Sequence, residues 1–184
     1  MRGWGGRALP ARAAIRHALV VLCCLALGAG AAAAQEFTGY GKATFGSSAK
    51  AVRALYPAAR EVGPRERLVA PFIGAPHITR LVLDRQTVAG LPKPTLVELR
   101  FWKERLWSVI VYFGDNDDQQ VLAMLTKRLG EPRVRSTTQT TWEGKDTQTA
   151  ASAKQRWYSV NDLALSAEAQ AWLAEQLKAK PHQH

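Results

Sequence analysis

The stretch Thr95–Phe113, TLVELRFWKERLWSVIVYF, sets two dense runs of β-branched, aromatic and aliphatic residues on either side of Lys103-Glu104. Such runs favour strands, and a two-residue break between them closes an antiparallel hairpin. With Lys103 and Glu104 at the turn, Phe101 lies opposite Leu106, Leu99 opposite Ser108 and Val97 opposite Ile110. Side chains alternate across a strand, so Val97, Leu99, Phe101, Leu106, Ile110 and Tyr112 share one face, which is the expected core. Glu98, Arg100, Trp102, Arg105 and Trp107 project from the other face. Lys-Glu is not a favoured turn pair, so a register shifted by one stays open.

Helices bracket this hairpin. Ser47–Tyr56 predicts a short helix, capped by Ser47 or Ser48, with Val52, Leu55 and Tyr56 on its apolar side and Pro57 at its end. Glu61–Pro76 is rich in proline, glycine and charge and predicts a loop. Ile78–Leu83 predicts a strand, and Asp84–Pro94 a long connection. Asp117–Leu129 is the clearest helix. Acidic caps precede it, Val121, Leu122, Leu125 and Leu129 form its stripe, and Gly130 and Pro132 end it. Thr138–Trp142 and Arg156–Leu165 predict strands, with Glu143–Asp146 as a turn and Thr147–Ala150 available for pairing. Ser166 caps a last expected helix, Ala167–Ala179, whose Trp172, Leu173 and Leu177 face inward. Trp142, Trp157 and Trp172 are expected between sheet and helices.

Residues 1–34 have the three zones of a cleavable signal peptide. Arg2, Arg7, Arg12 and Arg16 precede the apolar run Ala18–Leu27, and small residues follow to Ala34. The run is about half of the roughly 20 residues that cross a bilayer, and Leu22 before Cys23 does not fit a lipoprotein signal. The expectation is a periplasmic or secreted protein cleaved near Ala34, with one domain at 35–179 and a disordered tail at 180–184. Both cysteines leave with the leader, so neither a disulfide nor a thiol nucleophile remains. The remaining 150 residues keep all 15 acidic and 21 of the 25 basic residues, a charge near +6 spread along the chain. Without a concentrated basic stretch this argues against nucleic acid. A protein or an anionic envelope component is the expected partner class.

Phe45-Gly46-Ser47-Ser48 opens the first helix and Phe113-Gly114-Asp115-Asn116 the second, about 68 residues on. Each helix then leads through a loop to strands, an echo that admits a tandem helix-then-strands repeat. The opening FGSSAKAVRALYP, the strand pair and the helix end Leu129-Gly130-Glu131-Pro132 before a tryptophan-bearing strand resemble the small exported domains of the β-lactamase-inhibitor-protein and outer-membrane assembly lipoprotein (SmpA/OmlA) type. The likeness lies in element order over roughly residues 37–166. It implies helices packed on one side of an antiparallel sheet and a binding rather than a catalytic role. The absence of a lipid-attachment cysteine departs from the assembly lipoproteins, and no functional residue carries over.

No G-x-S-x-G, H-E-x-x-H or P-loop pattern occurs. Asp115–Asp118 suggests a calcium loop, but Gln120 and Thr126 stand where that motif needs glycine and glutamate, which leaves a capped helix start. The expectation is therefore an α+β domain without cofactor, metal or catalytic set, which binds through Arg100, Trp102, Arg105 and Trp107. Tryptophan and arginine dominate binding hot spots, although the same side chains can hold one another by cation–π stacking or lie under the long loop 84–94 as a second small core. Two alternatives stand beside this one. The first is an enzyme acting on an envelope polymer through Asp84, Glu98 or His77; the second is a structural oligomer subunit.

Overall fold

The computed structural model describes residues 35–63 and 77–179. The expected leader, most of the loop up to Pro76, the tail from residue 180 and the side chain of Leu177 lie outside them. The chain runs through β1 (Gly39–Tyr40), β2 (Ala43–Thr44), α1 (Ala49–Leu55), β3 (Arg60–Glu61), β4 (Ile78–Gln86), β5 (Thr95–Trp102) and β6 (Arg105–Tyr112). It continues through α2 (Asp118–Leu129), β7 (Val134–Arg135), β8 (Thr140–Glu143), β9 (Thr147–Ser152), β10 (Trp157–Asp162) and α3 (Leu163–Ala179).

Strands β3 to β10 form one antiparallel sheet in the order β3-β4-β5-β6-β10-β9-β8-β7. A helix followed by a four-strand meander therefore occurs twice, and the two meanders join through their last strands, β6 and β10. The helix entrances correspond as well. The Gly46 N–H donates to the Leu106 carbonyl beside the β5–β6 turn, and the Phe113 N–H donates to the Arg156 carbonyl beside the β9–β10 turn. Gly46 and Gly114 both have positive φ, 83° and 48°, which lets the chain turn sharply from strand into helix cap. Ser48 and Asp117 then cap α1 and α2 by accepting from the Ala51 and Gln120 N–H groups.

The hairpin forms around Lys103-Glu104, whose φ values of 47° and 64° make a two-residue turn of the primed kind. Its register corrects the expected pairing. Phe101 does face Leu106, but Arg100 faces Ser108, Leu99 faces Val109 and Val97 faces Val111. Trp107 is the extra residue of a β-bulge, and beyond it every β6 side chain changes face. Val109 and Val111 thus belong to the core, while Ile110 and Tyr112 join the opposite face.

The main core lies on the Val97 face. There Leu81, Leu83, Val97, Leu99, Phe101, Leu106, Val109, Tyr158 and Val160 of the sheet meet Ala49 and Val52 of α1 and Val121 and Leu125 of α2. Burial of a side chain such as Leu125 contributes about 1.5–3 kcal/mol. The α+β class and the antiparallel sheet with helices packed on one side are realised by α1 and α2. Leu55 is 44% exposed and leaves the apolar side of α1 to Val52 and Tyr56, whose hydroxyl donates to the Tyr40 carbonyl. Strand β4 runs on to Gln86, which shortens the expected connection. The last strand stops at Asp162, and α3 begins at Leu163 rather than after Ser166. Its cap is Asp162, which accepts from the Leu165 N–H.

Asn116, inside the acidic run that resembled a calcium loop, is buried. Its side chain accepts from the Lys93 N–H and donates to the carbonyls of Phe113 and Lys93. The run is therefore a helix entrance tied to the β4–β5 connection.

Candidate binding groove

The face opposite the α1–α2 core is polar, and it carries a charge cluster. Alternation along β4 and β5 points Arg80, Glu98 and Arg100 to this side. Glu98 is fully buried, with Arg80 2% and Arg100 7% exposed. The Glu98 carboxylate accepts from Arg80 Nε at 2.6 Å, from Arg100 Nε at 2.9 Å and from the Tyr112 hydroxyl at 2.6 Å. Burial pushes its pKa up, but the Arg100 hydrogen bond and charge, with the bonds from Arg80 and Tyr112, outweigh burial and hold it below the usual value.

Helix α3 closes one end of this face. Trp172 meets Trp102 edge to face, with ring centroids 5.3 Å apart, and His77 packs against both rings at 5.9 and 5.3 Å. One turn earlier, Glu168 pairs with Lys103 at 3.3 Å and with Arg105. The Arg105 hydrogen bond is the main influence that lowers the Glu168 pKa, and burial opposes it. Aromatic stacking and an ion pair thus fix α3 to the tip of the β5–β6 hairpin.

Between α3 and the sheet runs a groove of about 630 Å³. Its floor is the centre of the sheet. Ser108 and Ile110 come from β6, Trp157, Ser159 and Asn161 from β10, and Gln148 and Ser152 from β9. Its rim is Trp107, Leu163, Ser166 and Gln170. Ile110, Ala150 and Trp157 form an apolar cluster beneath it, and the Trp157 indole N–H donates to Gln155. The bulge that shifts the β6 register brings Ser108 to the same side as Trp107, and bulges recur beside sites.

The four side chains expected to bind are divided by this geometry. Trp102 is 1% exposed beneath Trp172, and Arg100 is held by Glu98 while it borders the groove. Arg105 is exposed and paired with Glu168. Trp107 is half-buried and lines the groove.

The three groups of the enzyme alternative are not brought together. His77 precedes β4 and Asp84 lies near its far end, roughly 20 Å along the strand. Glu98 lies between them, enclosed by its arginines.

The groove residues of β9, β10 and α3 were not found from the sequence. The alternation of Trp157, Ser159 and Asn161 with Tyr158 and Val160 carries a signal for which of them share a face. The pairing of β10 with β6, across some 48 residues of sequence, carries none. Compared with protein-family models, curated proteins and solved structures, the chain has no significant match.

Proposed function

We propose that this chain is an exported, non-catalytic binding domain, active in the periplasm or outside the cell, whose contact site is the groove between the central sheet and α3. The observation that carries the reading is the bulged Trp107 on the rim of a cleft whose volume falls in the range of ligand sites. Export is supported by the leader pattern of residues 1–34. Directly after the expected cleavage point, the Gln35 N–H donates to the Arg128 carbonyl and Arg128 Nε donates to the Gln35 carbonyl. The start of the mature chain is thus fastened to the domain. Among the described residues no helix is long and apolar enough to cross a membrane.

Of the four residues first singled out, Trp107 makes the contact. Arg100 borders it, and Trp102 and Arg105 hold α3 in place. A photo-crosslinking side chain at Gln170, on the groove rim, should capture envelope material that the same group at Lys50, on α1 across the sheet, does not. Trp107→Ala should abolish the Gln170 capture while the far-ultraviolet spectrum stays close to that of the parent. Equal capture from both positions, or capture indifferent to Trp107, would remove the groove as the site.

A further inference from the structure

The chemistry of the groove lining is unlike the rest of the surface. The chain has 25 lysine and arginine and 15 acidic residues, yet among the described residues that line the groove Arg100 is the one with a charge. Glu98 shares its carboxylate between that guanidinium, at 2.9 Å, and Arg80, at 2.6 Å. The remaining polar lining is amide and hydroxyl, represented by Gln148, Gln170, Asn161, Ser159 and Ser166, beside the two indoles of Trp107 and Trp157. Trp107 Nε1 and Ser166 Oγ are buried in the wall without a hydrogen-bond partner among the described residues.

Arg100 alone, already held by Glu98, gives an anionic polymer no series of counter-ions along the groove, and among the described lining residues no carboxylate attracts a cationic one. An extended peptide gains most of its affinity on a sheet by adding to an open edge. The groove floor is β6, β10 and β9, each paired on both sides, so no ladder is available to a peptide.

We infer that the groove binds a neutral carbohydrate: a short segment of an uncharged glycan. A pyranose presents C–H groups on its faces and hydroxyls around its edge. An indole suits the first, and its N–H, like a hydroxyl or a primary amide, suits the second. Planar amides such as those of Gln148 and Gln170 can bridge two neighbouring sugar hydroxyls. This deepens the reading of the groove as a binding site and rests on it.

The test is titration of the intact, isotope-labelled protein with maltohexaose, cellohexaose and chitohexaose. A hexamer of galacturonate and an uncharged Ser/Gln hexapeptide are run in parallel. At least one neutral hexasaccharide should move the Trp107 indole N–H resonance in a saturable way and leave the Lys50 amide in place. Trp107→Ala and Gln170→Ala should each weaken that binding by about tenfold, the usual effect of truncating an energetically important contact. Gln170 is exposed, so its variant keeps the test informative if Trp107→Ala disturbs the fold.

Binding of galacturonate or peptide in the groove without any neutral sugar would overturn the carbohydrate inference and leave the binding domain standing. So would silence from every probe together with Gln170-specific capture from envelope extract. Silence from both the titration and the capture would overturn both.

Discussion

Glu98 is the residue on which the polar face depends. Neutralising it would leave the Arg80 and Arg100 guanidinium groups buried beside an amide. Breaking a buried ion pair from one side costs about 3–5 kcal/mol, and Glu98→Gln is expected to lose that much in urea unfolding at neutral pH. The pH dependence has a definite sign. The folded-state pKa lies below the unfolded one, so the contribution is complete above the ordinary carboxyl pKa and disappears as pH falls through the folded value. The gap between parent and variant should therefore narrow in acid and stay constant from mildly acidic to neutral pH.

Glu36 is a second residue with a dedicated partner set. Its carboxylate accepts from the Lys145 and Asp146 N–H groups and from the Thr147 hydroxyl, across more than a hundred residues of sequence. A Cβ at Gly144 would come within 2.5 Å of that carboxyl carbon. Gly144→Ala is therefore expected to displace the Glu36 carboxylate from this cradle, seen as faster amide exchange at Lys145 and Asp146 with protection in β5 and β6 unchanged. Neither carboxylate could be assigned from sequence. Alternation placed Glu98 on the outer face, but the same face held arginines and tryptophans, and nothing in the order of residues says that another element covers them.

At the scale of elements, the β5–β6 turn carries two non-glycine residues at positive φ, each at a cost in backbone strain. Replacing Lys103-Glu104 by Asn-Gly should stabilise the protein by about 1 kcal/mol, because those residues accept this turn geometry and the surface ion pairs lost are weak. A higher urea midpoint with unchanged slope is the expected reading. Helix α3 answers to a different substitution. Trp172 is half-buried, so Trp172→Ala should cost about 2 kcal/mol, less than the 3–5 of a fully buried tryptophan. Exchange protection should fall in α3 and persist in α2.

The elements legible in the sequence were those whose signals are local. The caps Ser48 and Asp117, the α2 stripe and the two hairpin runs announce themselves within a few residues. The bulge at Trp107 did not, because an extra residue in a strand leaves the apolar run unbroken while it inverts the faces beyond. The start of α3 was placed late for a related reason. Asp162 and Ser166 are both competent caps, and only the end of the β10 ladder decides between them.

At the scale of the whole molecule, the groove exists because two distant meanders share one sheet. Its floor draws on β6 from the first and on β9 and β10 from the second, so no fragment of either half should retain it. The strand order also says something about assembly. The strand that seals the centre, β10, is the last to be made, and its partner β6 lies some 48 residues earlier. Until Trp157–Asp162 arrives, β6 and β9 each present an unpaired edge rich in hydrogen-bonding groups, the kind that recruits another chain. A chain cut short before residue 157 should therefore aggregate rather than persist as a half-size domain, visible as light scattering that full-length protein lacks. Closing the sheet with β10 makes the arrival of that one strand the step on which both meanders wait.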